Sequence, residues 1–133
     1  GTSYAEITDY AAATQSEILD TYDGANGGIP QYITTGGTAF DLFDNTTELV
    51  MGAVSVPLTT PTKLATAWDR TSAYGAVSGT LGTVRVFDGN MNFSANVAIG
   101  IRADGTLAIF GSIRNARIWN RAQSTAQLKA MTT

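Results

Sequence analysis

Short strand-forming runs, separated by turn-forming clusters, recur along the whole of this 133-residue sequence. The runs are Ser3–Thr8, Ser16–Asp23, Gln31–Thr35, Ala39–Asp44, Glu48–Val56, Lys63–Asp69, Ala73–Ser78, Thr83–Phe87, Ala95–Arg102 and Gly111–Trp119. Their spacing of roughly 8–12 residues is that of an antiparallel sandwich. Between them lie Asp23–Gly28, Thr35–Thr38, Asp44–Thr47, Gly79–Gly82, Asp88–Asn92 and Ala103–Thr106. Each is a cluster of Gly, Asn, Asp or Thr, residues that accept left-handed backbone or cap their own turns. Asp88-Gly89 and Asp104-Gly105 are dipeptides favoured where a hairpin needs positive φ, and Gly36-Gly37 fits the same role. Period-two alternation sets Ile18, Asp20 and Tyr22 against Glu17, Leu19 and Thr21, and Lys63, Ala65 and Ala67 against Leu64, Thr66 and Trp68. Neither segment is apolar on one face alone, so these faces stay unassigned. Asp9–Ile18, with Ala11-Ala12-Ala13, reads as a connection, because its helix-favouring alanines soon merge into β-branched sequence.

The end of the chain has a different character. Ser124-Thr125-Ala126-Gln127 has the Ser-x-x-Gln form of a capping box, in which each side chain satisfies a backbone N–H of the other residue. Leu128 and Met131 follow at a spacing that puts both on one helix face, with Lys129 near the negative end of the dipole. A helix of about two turns pinned to the sandwich is predicted here.

Composition narrows the chemistry. The length fits one domain, 1–133, large enough to bury a core. Charged residues are only 14 % of the chain against 44 % hydrophobic, so the surface must rely on Thr, Ser, Asn, Gln and Gly. There is no Cys and no His, which removes disulfides, thiol chemistry, the commonest zinc ligand, the usual general base and any His-based serine triad. No apolar run approaches the ~20 residues of a membrane span, so insertion into a bilayer is not expected. The net charge of −3 argues against nucleic acid as a partner. Glu6, Asp9, Glu17, Asp20, Asp23, Asp41, Asp44 and Glu48 all precede the first basic residue, Lys63. Arg102, Arg114, Arg117, Arg121 and Lys129 gather near the other end. Either the last strand lies beside N-terminal strands, or complementary patches join subunits head to tail.

The segment Gly111–Met131 resembles the closing signature of concanavalin- and laminin-G-like jelly rolls. Gly111, Ile113, Arg117, Ile118, Trp119, Asn120, Arg121, Ala122, Ser124, Gln127, Leu128 and Met131 carry the resemblance, while Gln123 stands where the family has an apolar residue. It implies an all-β antiparallel β-sandwich, a jelly roll with a short C-terminal α-helix. A looser resemblance, through Gly1–Glu6, Asp23-Gly24 and Ala65–Trp68, is to C-terminal modules of bacteriophage tail-fibre or spike proteins. It implies a non-catalytic module of a larger virion protein, made in the bacterial cytoplasm and displayed on the virion surface. Such a module either attaches to host-surface polysaccharide or organises the particle tip with other virion proteins, as a homo-oligomer such as a trimer. The alternatives are a glycan-cleaving enzyme of the same fold and a purely structural decoration domain.

The residues themselves favour binding over catalysis. A glycosidase needs two carboxylates about 5–10 Å apart across a cleft, and no strand carries Glu at i and i+4. No catalytic residue is therefore assigned. Sugar binding needs an aromatic platform with polar side chains beside it. Trp68, Tyr74, Trp119, Tyr22 and Tyr32 are the aromatic candidates. The expected ligand-binding set is Trp68, Asp69, Tyr74, Asn90 and Asn92, with Trp119 assigned to the core beneath the terminal helix. No cofactor is expected. Ca2+ is the one metal with a candidate loop, Asp88, Asn90 and Asn92, whose oxygen atoms alternate around a glycine.

Overall fold

A computed structural model describes residues 1–8, 15–21, 28, 31–34, 37–43, 48–54, 61–86, 97–102 and 105–133. The strands are β1 (Thr2–Thr8), β2 (Gln15–Asp20), β3 (Gln31–Thr34), β4 (Gly37–Phe43), β5 (Glu48–Val54), β6 (Thr62–Trp68), β7 (Ser72–Val77), β8 (Thr80–Leu81), β9 (Arg85–Val86), β10 (Ala98–Ile99) and β11 (Ser112–Trp119). One helix, α1 (Thr125–Thr132), follows. The strands form two antiparallel sheets, one ordered β11-β1-β6-β7-β8 with β9 also on β7, the other β10-β2-β3-β4-β5. The expected all-β sandwich with a terminal helix is the fold observed.

Alternation in β1 explains the layering. Ala5 and Ile7 point inward and join Ile18, Ile33, Leu64, Ala73 and Val77 in a core between the sheets, with Trp68, Ile109 and Ile113 packed against it. Ile7, Ile18, Ile33 and Leu64 are each essentially fully buried. Each such side chain contributes about 1.5–3 kcal/mol by leaving water. Gln31 crosses this core, its amide donating to Ser3 Oγ (2.8 Å) and Thr66 Oγ1 (2.9 Å).

The outer face of the six-stranded sheet is buried too. Tyr4, Ala65, Ala67, Ala76 and Leu128 form a second cluster there, with Tyr74, Leu81, Trp119 and Met131 at its margin. Alanine is a poor strand former, but three short side chains let α1 lie close to the sheet and insert Leu128. β6 is covered on both sides, which is why its sequence is not apolar on one face alone. The capping box forms as predicted: Ser124 N donates to Gln127 Oε1 (2.8 Å) and Gln127 N to Ser124 Oγ (3.3 Å).

The strand edges differ from the sequence reading in a few places. The run from Ser16 ends at Asp20, within β2. Within Gly79–Gly82 the turn is only Ser78-Gly79, with φ of +46° and +76°, and Thr80–Leu81 is already β8. Two successive positive φ values match the twist of a two-residue hairpin, and this is where a glycine is required. Thr83–Phe87 contributes only Arg85–Val86, and of the run from Ala95 only Ala98–Ile99 is strand among the described residues. Residues 9–14, Tyr22, Asp23-Gly24, Gly36 and Asp104 lie outside the described residues; Gly105 has φ +86° and donates to Arg102 O, closing its turn (2.9 Å).

Candidate functional site

β11 pairs antiparallel with β1, and the pairing carries an irregularity that shapes the surface around it. Tyr4 lies opposite Arg117 and Glu6 opposite Arg114. One residue, Ala5, separates the first pair on β1, whereas Asn115 and Ala116 separate their partners on β11. This is a β-bulge, and Asn115 adopts φ +55° within it. Asn accepts left-handed backbone better than most non-glycine residues. One extra residue reverses the inward–outward alternation of everything beyond it. Ile113, before the bulge and opposite Ile7, packs on the core between the sheets. Simple alternation would send Arg117 and Trp119 the same way. With the bulge they come out on the opposite face, beside α1.

Together they line a pocket of about 460 Å³ between β1, β11 and the helix. β1 contributes Tyr4 and Glu6, and β11 contributes Asn115, Arg117 and Trp119. The far wall is Gln123, Gln127, Ala130 and Met131. The floor is held rigidly. Tyr4 Oη donates to Glu6 Oε1 (2.7 Å), and Asn115 Nδ2 donates to Glu6 Oε2 (2.9 Å). Those bonds, the tyrosine's first, hold the Glu6 carboxyl below its usual range, helped by Lys63 and Arg114. Burial, the bond to Glu6 and its charge all push the Tyr4 phenol well above its ordinary value. At neutral pH the network is therefore a carboxylate with a neutral donor on each oxygen. Behind it, Gln123 N donates to Thr2 Oγ1 (2.9 Å), Thr2 Oγ1 donates to Arg121 O (2.8 Å), and Tyr74 Oη donates to Gln123 O (2.6 Å). Gln123 is nearly buried at the position where an apolar residue was expected, and its backbone takes up both of these bonds.

Of the expected ligand-binding set, Trp68, Asp69 and Tyr74 lie along the β6–β7 hairpin. Trp68 faces the core between the sheets, while Tyr74 faces the helix side. Opposite faces of one sheet cannot form one platform. Trp68 N donates to Gly1 O (2.9 Å), and a Cβ on Gly1 would lie 2.4 Å from the indole, so glycine's lack of a side chain permits this approach. Asp69 Oδ1 organises the turn, accepting from Thr71 N (2.7 Å) and Ser72 N (2.9 Å). Asn90, Asn92 and the Asp88 loop lie outside the described residues. Trp119, expected in the core, is half-buried at the pocket wall.

β2 also carries two buried acids, Glu17 and Asp20, each with a partner. Gln15 Nε2 donates to Glu17 Oε1 (2.9 Å). Among the described residues no three acids gather to hold a metal ion, and no helix is long and apolar enough to cross a membrane.

No family model matches this sequence, and no curated protein does. Solved structures do match its shape. The CBM40 module of the Ruminococcus gnavus IT-sialidase superposes with a TM-score of 0.80 at 18 % identity, over 99 % of this chain and 82 % of that one. The same module has been solved bound to α2,3-sialyllactose. The chain shares their jelly-roll fold. Domain 4 of a Geobacillus stearothermophilus extracellular GH43 arabinanase, in complex with arabinotriose, gives 0.79 at 15 % identity, covering 99 % of this chain and 66 % of that one. Mouse laminin α1 domains LG4–5 give 0.67 at 10 % identity, over 91 % of this chain and 36 % of that one. The concanavalin/laminin-G resemblance of Gly111–Met131 thus agrees with the whole-chain architecture.

Proposed function

We propose that this jelly roll is a non-catalytic carbohydrate-binding module whose glycan site is the pocket between α1 and the outer face of β1 and β11. The observation that carries the reading is the meeting, in one pocket of about 460 Å³, of a half-exposed indole with preorganised polar groups. Trp119 offers a sugar ring an apolar face, Gln127 supplies a donor, and the Glu6 network fixes Tyr4 and Asn115 before any ligand arrives. Fixed groups lose little entropy on binding. The CBM40 module and the arabinanase domain lend support, since in those proteins this fold is seen with a bound saccharide.

Catalysis is the weaker alternative. Among the described residues the pocket has one carboxylate, Glu6, and both its oxygens already accept hydrogen bonds. Glycoside cleavage calls on a pair of carboxylates about 5–10 Å apart. Display on a phage fibre or spike, as a trimer bound to host polysaccharide, is a finer reading that rests on the sequence resemblance. The neighbours named above are bacterial and animal proteins, which suits equally well a module appended to a glycan-active enzyme.

Binding is tested by calorimetric titration of the intact chain with a panel of host and plant oligosaccharides. Saturable binding lost in Trp119→Ala, without shortening of the oligosaccharide, is expected. No binding across the panel, or binding indifferent to Trp119→Ala, overturns the assignment of this pocket; shortened products overturn the non-catalytic reading.

A further inference from the structure

We propose that the pocket selects anionic saccharides, with Arg117 the group that meets a carboxylate or sulfate on a sugar ring stacked against Trp119. This rests on the carbohydrate-binding reading above and adds the ligand's charge. Three observations lead to it. First, Arg117 is an exposed cation at a pocket wall with no acid opposite it: its cross-strand partner is Tyr4. The pocket's one acid, Glu6, lies in register with Arg114 on one side and Lys63 on the other, and its oxygens are taken by Tyr4 and Asn115. The guanidinium is exposed, and among the described residues it makes no ion pair.

Second, the bulge puts Arg117 and Trp119 at i and i+2 on one face of β11, about 7 Å apart along the strand. That distance lets one ring lie on the indole while its acidic substituent reaches the guanidinium. Arginine's planar fork fits a carboxylate or a sulfate ester with two parallel hydrogen bonds, so both sources of charge satisfy the same chemistry. Third, the local charge runs against the global one. The chain is net −3, but at this pocket Arg114 stands in register with Glu6 while Arg117 lines the wall opposite Tyr4. Arg114 offsets the charge of the Glu6 carboxylate, so Arg117 leaves the pocket wall positive toward an approaching anion.

The test uses three galactan-type oligomers matched in length: unsubstituted, carboxylated (galacturonan) and sulfated (carrageenan). Each is titrated into the intact chain at low and high salt. The wild type is expected to bind at least one anionic oligomer about tenfold more tightly than the neutral one, with the difference shrinking in salt. Arg117→Gln should erase that preference while retaining the weak neutral binding, and Arg117→Lys should restore only part of it. Trp119→Ala should lose all three. Which anionic oligomer binds better separates carboxylate from sulfate. Equal affinity for neutral and anionic oligomers, or a preference that survives Arg117→Gln, overturns the charge proposal while leaving glycan binding intact. Failure of every oligomer to bind overturns both.

Discussion

Replacing Leu128 by alanine probes the assembly on which the pocket depends. An eight-residue helix does not hold itself together in water, so α1 persists because it is docked. Leu128 is its anchor, fully buried against Ala65, Ala67 and Ala76. Alanine side chains cannot move in to fill the space a leucine leaves, so the cost should fall in the middle to upper part of the usual range, about 3–4 kcal/mol. For a chain of this length that corresponds to a fall in Tm of roughly 10–15 °C. Met131→Ala, at the half-buried margin of the same cluster, should cost about 1 kcal/mol. Urea unfolding followed by circular dichroism measures both, and the slope against denaturant should stay unchanged if the native fold is kept. A loss below about 1 kcal/mol for Leu128→Ala, or equal losses for the two variants, would refute the anchoring role.

Three further outcomes are expected. Because the folded state lowers the Glu6 pKa, its contribution is fully present above the ordinary carboxylate value and is lost as pH falls through the lowered one. Tyr4→Phe removes the largest cause of that lowering, so NMR titration should find Glu6 shifted upward and the acid-side loss of stability less steep. Gln31→Leu strands Ser3 Oγ and Thr66 Oγ1 in the core and should cost about 1–3 kcal/mol, whereas the triple variant with Ser3→Ala and Thr66→Val should recover most of it by thermal melt. Asn115→Gly keeps the left-handed backbone but loses the hydrogen bond to Glu6 and should cost about 0.5–1 kcal/mol, while Asn115→Val loses both and should cost roughly 1–2 kcal/mol more; equal values would remove the conformational explanation.

The fold was largely legible in the sequence because its information is local. Gly, Asp and Asn clusters mark where strands stop, and Ser124 with Gln127 marks where the helix starts. Sheet order was less legible, since strand pairing depends on partners distant in the chain. Even so, the separation of early acids from late arginines anticipated that β11 lies beside β1, where Glu6 meets Arg114. The pocket was mostly hidden. From the sequence Trp119 reads as core because it lies in the closing strand beneath the helix, which leaves Trp68 as the tryptophan of the expected platform. The environment of Trp119 turns on a parity reversal in β11 that composition does not advertise. The available signal was Asn115, a residue tolerant of positive φ inside a strand whose Ile113 and Ile118 could share a face only across a bulge. In the sequence Tyr4 and Glu6 are ordinary strand residues, since their value lies in the neighbours that β11 brings to them.

The additional residue in β11 has an evolutionary consequence. Deleting Ala116 would swap which side chains of Arg117–Trp119 face the sandwich interior, so loss of one codon would dismantle the recess and the packing together. Point substitutions at Arg117, Trp119 or Gln127 change what the recess offers without touching that geometry. Lineages carrying this scaffold should therefore diversify their ligands by substitution at these positions, while the length of the strand stays invariant.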